Sequence, residues 1–223
     1  MTRQLTFDLP VIEGYARADF FASPANAQAM TAVDSWREWP AGKMLLVGPA
    51  GAGKTHLSRI WADLAGAATV YPADLAAADL PMLAAIGAVC VDDADKVAGN
   101  AAAEAALFHL HNLLQSGGRL LMTAATPPRD WGLGLADLQS RLQATAITQV
   151  LPPDDALLSA VLVKLFADRQ ITVPPNLISY LVSRIERSIA TARDLVAELD
   201  AAALTLGRPI TRTLAAEILD KPV

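Results

Sequence analysis

The sequence has only one cysteine, Cys90, among its 223 residues. A lone cysteine has no partner within the chain, so an internal disulfide is excluded. Apolar runs long enough to cross a membrane are also missing, because charges or prolines interrupt each of them well short of about 20 residues. The N-terminus lacks the basic stretch and long apolar run of a secretory signal. We therefore expect a cytoplasmic protein without membrane spans.

Positive charge is scarce as well. Lysine and arginine total 18 against 23 aspartates and glutamates, which gives a net charge of −5. Proteins that hold DNA by themselves usually cluster basic residues on one face, because neutralising phosphates supplies most of the affinity. The sequence shows no such cluster. We therefore expect no direct sequence-specific binding of DNA.

Apolar residues, in contrast, make up 53% of the chain and are enough for a sizeable core. Up to Pro152-Pro153, short continuous apolar runs alternate with helical segments, the first of which is predicted to start at Ser23-Pro24. This alternation predicts an α/β fold, a parallel sheet with helices on both faces. Only helical patterns follow. We expect a tail (1–10), an α/β nucleotide-binding domain (11–152) and a small all-helical domain (153–223). The predicted strands are MLLV, ATVY, AVCV, RLLMT and AITQV.

The segment LLVGPAGAGKTHL carries the strongest functional signal. Gly48 to Thr55 match the phosphate-loop pattern G-x-x-x-x-G-K-[ST], which a chain of this length would show by chance about once in a hundred cases. A glycine-rich turn with an incidental lysine is the alternative, but the preceding apolar strand and following helix favour a nucleotide site. Lys54 is expected to reach the β- and γ-phosphates, and the Thr55 hydroxyl to bind Mg²⁺. The candidate nucleotide contacts in this segment are Gly48, Pro49, Ala50, Gly51, Ala52, Gly53, Lys54, Thr55 and His56.

Two carboxylates follow the predicted strand AVCV. In a parallel sheet, Asp92 and Asp93 would lie at the same edge as the phosphate loop. Asp92 is the candidate to hold Mg²⁺, directly or through water, and Asp93 to polarise an attacking water. Paired aspartates after a strand can also be a helix cap. The phosphate loop upstream favours the functional interpretation.

A phosphate-loop α/β domain followed by a small helical lid resembles the AAA+ ATPases, and among them the DnaA family. The resemblance covers nearly the whole chain. It includes DFFASPANAQAM before the phosphate loop and the Asp-Asp ending of VCVDDAD. It implies that Asp19, Phe20 and Phe21 lie near the adenine of bound ATP or ADP.

Two arginines gain expected roles from the same resemblance. LQSRLQATAITQVLPPD is similar to the segment in which Arg141 would be an arginine finger, acting on ATP held by a neighbouring subunit. A surface arginine paired with Asp137 is the alternative. SIATARDLVAEL is similar to the family's sensor-two segment, which makes Arg193 a candidate phosphate contact. A solvated charge on a helix is the alternative for Arg193.

The sequence departs from the family in two places. In LMTAATPPRDWG, Ala124 and Ala125 stand where the family usually has a polar or acidic residue, so we expect weak intrinsic ATPase activity. DnaA proteins also carry a C-terminal helix-turn-helix domain, whereas this sequence stops at Val223, just after the helical segments. Together with the net charge of −5, the second departure argues against an origin-binding initiator.

The N-terminal stretch MTRQLTFDLP resembles the peptides by which replication proteins bind the sliding clamp. In an extended segment, Leu5, Phe7 and Leu9 would share one side, while Gln4 could enter a polar pocket. An edge strand or a disordered terminus is the alternative.

Together, these features predict a negative regulator of replication initiation. Such a protein would bind adenine nucleotide with Mg²⁺, dock on the clamp, and use Arg141 to stimulate hydrolysis of ATP on DnaA. A helicase loader and an ATPase that acts on its own nucleotide are the alternatives. The sequence leaves open whether ATP or ADP marks the active form, and whether the protein forms homo-oligomers.

Overall fold

The computed structural model describes Arg17 and residues 20–220. In this part of the chain five parallel strands form one sheet in the order β2-β3-β4-β1-β5. The strands are β1 (Lys43–Val47), β2 (Ala68–Val70), β3 (Ala88–Val91), β4 (Arg119–Ala124) and β5 (Ala146–Gln149). The helices are α1 (Ala27–Asp34), α2 (Lys54–Ala65), α3 (Pro72–Leu75), α4 (Leu80–Ile86), α5 (Ala101–Leu113), α6 (Ala136–Gln143), α7 (Asp155–Asp168), α8 (Pro175–Val182), α9 (Ile189–Leu206) and α10 (Arg212–Leu219).

Strand β1, which lies between β4 and β5, is buried on both faces, as its continuous apolar run predicts. Met44 and Leu46 belong to a core that includes side chains of α1 and α2. Leu45 and Val47 point to the opposite face and belong to a second core, with side chains of α5 and α6. The predicted parallel sheet with helices on both faces is therefore confirmed.

From residue 150 to residue 220 the chain forms helices, turns and loops. We call α7–α10 the lid. These helices enclose a third hydrophobic core, in which Phe166 and Leu199 are almost fully buried. Polar side chains start three of the helices by accepting a hydrogen bond from the first turn: Asp154 for α7, Ser188 for α9 and Thr211 for α10.

The predicted start of the first helix at Ser23-Pro24 is wrong, because α1 begins at Ala27 with Asn26 as its N-cap residue. Asn26 uses its side chain to form a turn before the helix. Its Oδ1 accepts from the Ser23 amide at 2.9 Å, and its Nδ2 donates to the Phe21 carbonyl at 2.8 Å. These bonds hold residues 21–26 in a compact turn, so the helix starts only after it.

Among the described residues, no helix combines the length and the apolar character that crossing a membrane requires.

Candidate functional site

The phosphate-loop segment joins the end of β1 to the start of α2, as its sequence predicts. Gly48 follows the strand, and a Cβ at this position would collide with the Val150 carbonyl oxygen. Gly51 has φ +71°, in the left-handed region that favours glycine. The chain can therefore turn tightly here and present backbone amides and the N-terminus of α2 in one place, the arrangement that binds phosphate.

Lys54 lies inside this loop and is almost fully buried. Its ammonium donates to the carbonyl oxygens of Gly48 at 2.8 Å and Pro49 at 3.0 Å. Burial lowers the pKa of Lys54, and the negative charge of Asp93 and of two further aspartates opposes that shift. The loop thus holds a cation at its centre, bound by carbonyl oxygens that phosphate oxygens could replace.

Asp92 connects the ends of three strands and the first turn of α2. Its Oδ2 accepts from the Thr55 hydroxyl at 3.0 Å, and its Oδ1 accepts from the Thr123 hydroxyl at 2.6 Å. Thr123 in turn accepts from the Asp93 amide at 2.8 Å. Asp92 is 5% exposed and Thr123 is fully buried. The sequence paired Asp92 with Thr55, but Thr123 was not recognised as their partner.

The oxygen atoms of Thr55 and Asp92 fit a magnesium site that is completed by other ligands. Mg²⁺ usually keeps several waters and binds one or two carboxylates together with phosphate oxygens. Within the described part of the chain, no group of three or more His, Cys, Asp or Glu side chains could hold a metal alone. The protein atoms present here therefore suit a cation that arrives with a nucleotide.

The other two aspartates of VDDAD have different partners. Asp93 has φ +56°, and its carboxylate pairs with Lys96 at 2.7 Å. This ion pair raises the pKa of Lys96. Asp95 accepts from the Ala125 amide at 3.0 Å, so it fixes the backbone just after β4. Asp95 is a residue that the sequence analysis missed.

The alanines after Thr123 differ in their positions. Ala124 is fully buried in the core shared with α5 and α6, so its methyl group faces away from Asp92. Ala125 is exposed. The polar side chain at this end of β4 is therefore that of Thr123, which is already bonded to Asp92.

The lid contacts the phosphate loop through the start of α9. The Ile189 amide donates to the Gly51 carbonyl at 2.8 Å, and the Ser188 hydroxyl fills the space that a Cβ on Gly51 would need. Arg193 follows Ile189 by one helical turn and so lies on the same side of α9. Neither Ser188 nor Ile189 stands out in the sequence, because their partner is more than a hundred residues away.

Comparison with solved structures identifies the fold. Domain III of the replication initiation protein DnaA from Thermotoga maritima matches with a TM-score of 0.76 at 18% identity, over 93% of this chain and 98% of that one. The chain has the AAA+ fold.

Two further AAA+ structures were determined with nucleotides. AMPPCP-bound DnaA from Aquifex aeolicus matches with a TM-score of 0.67 at 17% identity, over 86% of this chain and 66% of that one. The FIGL-1 AAA domain in complex with ADP matches with a TM-score of 0.63 at 17% identity, over 89% of this chain and 80% of that one. No protein-family model matches the chain.

In this AAA+ fold the segment before α1 reaches the phosphate-loop helix. The ring of Phe20 contacts that of His56 edge-to-face, with centroids 5.4 Å apart. Phe21 is 58% exposed. The structure therefore brings Phe20 and His56 together and leaves Phe21 on the surface. Asp19 and the tail residues Gln4, Leu5, Phe7 and Leu9 lie outside the described residues.

Arg141 lies on α6, away from the phosphate loop of its own chain. Its guanidinium is placed 5.3 Å from the centre of the Phe108 ring, and no ion pair joins it to Asp137. Burial lowers the pKa of Lys43, and Arg141 lowers it further. Lys43 begins β1 whereas the phosphate loop follows the end of β1, about 13 Å further along the strand. Arg141 is therefore grouped with Lys43 at the edge where the strands begin, opposite the edge that carries the phosphate loop.

His111 lies close enough to Lys43 and Arg141 to feel both charges. It is buried on α5, and its Nδ1 has no hydrogen-bond partner in the described structure. Burial, together with the charges of Lys43 and Arg141, lowers the pKa of His111 from 6.5 to about 4. The imidazole is therefore neutral in the folded protein at neutral pH, while two cations remain beside it.

We predict that His111 makes the protein acid-sensitive. Because the pKa is about 4 when folded and 6.5 as the reference value, the unfolded chain binds more protons between these values. The free energy of unfolding should fall by up to about 3 kcal/mol as the pH drops across this window. Urea unfolding at a series of pH values from 7 to 4 measures this fall in the free energy of unfolding. His111→Gln should flatten the profile, and His109→Gln, exposed on the same helix, should not. If the free energy of unfolding changed equally with pH in the wild type and in both variants, the acid sensitivity could not be assigned to His111.

Proposed function

We propose that this protein is a regulator of the Hda type, which binds adenine nucleotide with Mg²⁺ and stimulates hydrolysis of ATP held by DnaA. The observation that carries the proposal is the separation of two sites in one chain. A phosphate loop with Thr55 and Asp92 lies at one edge of the sheet, and Arg141 is grouped with the other edge. The edge with the phosphate loop would bind the protein's own nucleotide. Arg141, at the other edge, would act on a nucleotide bound by a neighbouring subunit.

The contacts around the phosphate loop support binding of a nucleotide. Lys54 would exchange the carbonyls of Gly48 and Pro49 for phosphate oxygens. Thr55 and Asp92 would hold Mg²⁺, which neutralises charge on the phosphates when it is bound. Arg193, one turn beyond the contact between Ile189 and Gly51, would add a positive charge from the lid. The AMPPCP and ADP found with the AAA+ relatives support adenine as the base.

The surroundings of Arg141 support a role in trans. Phe108 supports the guanidinium and the nearby Lys43 is a cation, and among the described residues no carboxylate forms an ion pair with the arginine. A positive charge kept in this way can be offered to the charge that develops on a transferring phosphoryl group of another subunit. The pairing with Asp137 that the sequence left open has no support in the described contacts.

The environment of Asp93 favours a regulator over an ATPase that acts on its own nucleotide. A catalytic carboxylate must reach the attacking water, whereas the Asp93 carboxylate pairs with Lys96 at 2.7 Å. The two residues after Thr123, Ala124 and Ala125, carry no polar side chain that could orient a water. Intrinsic turnover is therefore slow in this proposal, and the main reaction is the one on DnaA.

Clamp binding is the part of the proposal that rests on sequence resemblance alone. The extended segment from Gln4 to Leu9 would occupy an apolar groove on the sliding clamp. Attachment by a tail raises the local concentration of Arg141 near DnaA on clamp-loaded DNA.

Lys54→Ala should abolish binding of ADP, because it removes the cation at the centre of the loop. Isothermal titration calorimetry with ADP and Mg²⁺ measures this. Lys164→Ala, which changes a lysine on the lid beside Asp168, is the control and should bind like the wild type. Unchanged ADP affinity in Lys54→Ala would refute the nucleotide site.

Arg141→Ala should abolish stimulation of DnaA. The assay is single-turnover hydrolysis of labelled ATP preloaded on DnaA, with DNA-loaded clamp and this protein added. The rate should return to that of DnaA alone, since an arginine finger contributes about 10³–10⁵ in rate. Arg129→Ala, with its side chain 75% exposed, is the matched control. Absence of stimulation by the wild type, despite clamp binding, would point instead to a helicase loader.

Removal of residues 1–9 should eliminate clamp binding and leave ADP binding intact, since the phosphate loop is far from the tail in sequence. Surface plasmon resonance on immobilised clamp measures clamp binding, and calorimetry measures ADP binding. A triple alanine variant of Leu5, Phe7 and Leu9 in the full chain should behave like the truncated protein. Wild-type clamp affinity in either variant would refute the role of the tail.

A further inference from the structure

Glu104 is a buried acidic residue that the nucleotide site does not use. It lies in the first turns of α5 and is 3% exposed. Burying a carboxylate is costly unless hydrogen bonds satisfy it. Here Oε1 accepts from the Gly99 amide at 3.1 Å, and Oε2 accepts from the Leu135 amide at 2.8 Å. Both partners are backbone groups, so the carboxylate holds two pieces of the main chain together.

The two pieces are the loop that follows β3 and the loop that follows β4. Gly99 ends the turn that follows Asp92 and Asp93. Leu135 is the N-cap residue of α6, the helix that carries Arg141, and its own side chain cannot cap a helix. Glu104 therefore supplies, from α5, the side-chain acceptor that Leu135 cannot provide, and its negative charge adds to that of Asp137 in the first turn of α6.

The segment before α6 is held partly by apolar packing, since Trp131 is buried in the core and Leu133 and Leu135 pack against it. It contains Gly132 and Gly134, and a Cβ on Gly134 would lie 3.6 Å from Oε2 of Glu104. On the opposite side, α6 is anchored in the core by Leu138 and Leu142. Apolar contacts of this kind are not directional, whereas the bond from Glu104 to Leu135 fixes where the helix starts.

We propose that Glu104 is a positioning residue for Arg141. Its carboxylate sets the N-terminus of α6 relative to the loop after Asp92 and Asp93, so the guanidinium is presented at a fixed distance from that loop. The proposal rests on the proposed function only for what Arg141 does. The attachment of α6 by Glu104 can be tested without DnaA.

The attachment is tested by amide hydrogen exchange in Glu104→Gln. The glutamine oxygen can still accept one hydrogen bond, but its NH₂ group meets the other amide donor. Exchange at Leu135 and in the first turn of α6 should become at least about tenfold faster, as expected for loss of a hydrogen bond to a charged group. Exchange within α9 should not change. Wild-type protection throughout α6 would overturn the proposal.

The consequence for Arg141 is tested in the DnaA hydrolysis assay. For Glu104→Gln we expect the rate at saturating protein to fall by about tenfold or more, because small displacements of a reacting group are costly. The half-saturating concentration and the ADP affinity should remain those of the wild type. In the Arg141→Ala background, Glu104→Gln should cause no further loss.

A matched control separates positioning from general destabilisation. Asp154→Ala removes the N-cap of α7, whose side chain accepts from the Leu157 amide at 2.8 Å, and should lower the Tm without touching α6. It should keep the wild-type rate. An equal loss of rate in Asp154→Ala, or a full rate in Glu104→Gln, would overturn the proposal. If the wild type does not stimulate DnaA, the proposed function fails, and the exchange measurement alone supports or overturns the attachment.

Discussion

The buried carboxylate of Asp92 is the constraint on which the nucleotide edge of this protein depends. A carboxylate with 5% exposure must be satisfied by hydrogen bonds, and here the donors come from Thr55 on α2 and Thr123 on β4. Since β4 lies between β1 and β3 in the sheet, Thr123 fills the gap between the phosphate loop and Asp92. The parallel order of the strands thus places a loop and an acid that are far apart in sequence at one point.

The same sheet separates charge between its two edges. Carboxylates follow β3 at the edge of the phosphate loop, whereas Lys43 starts β1 at the other edge, where Arg141 and the neutral His111 are its neighbours. A parallel strand has its two ends in different surroundings, so the phosphate loop and the carboxylates lie at one edge while Lys43 and Arg141 are grouped at the other. Glu104, on α5, joins the loop after β3 to the loop after β4 through the amides of Gly99 and Leu135.

The fold was largely predictable, because strands buried on both faces must be apolar throughout and such runs are easy to see in MLLV and AVCV. The start of α1 was not. Ser23 and Asn26 can both cap a helix, but both use their side chains within the turn before α1, and that turn delays the helix to Ala27. Likewise, the sequence showed alanine at position 124 but not the side of β4 that it faces, since that depends on how the strand packs against α5 and α6.

The sequence by itself determined the phosphate loop, because the glycines, Lys54 and Thr55 act through local backbone geometry over eight residues. It also determined the parallel sheet, because the period and length of apolar runs are local properties. Only the tertiary structure decided the partners: Thr123 for Asp92, Ile189 for Gly51, and Leu135 for Glu104. Each of these pairs is separated by about thirty residues or more, and no local pattern records which buried polar group will meet which donor once the core has formed.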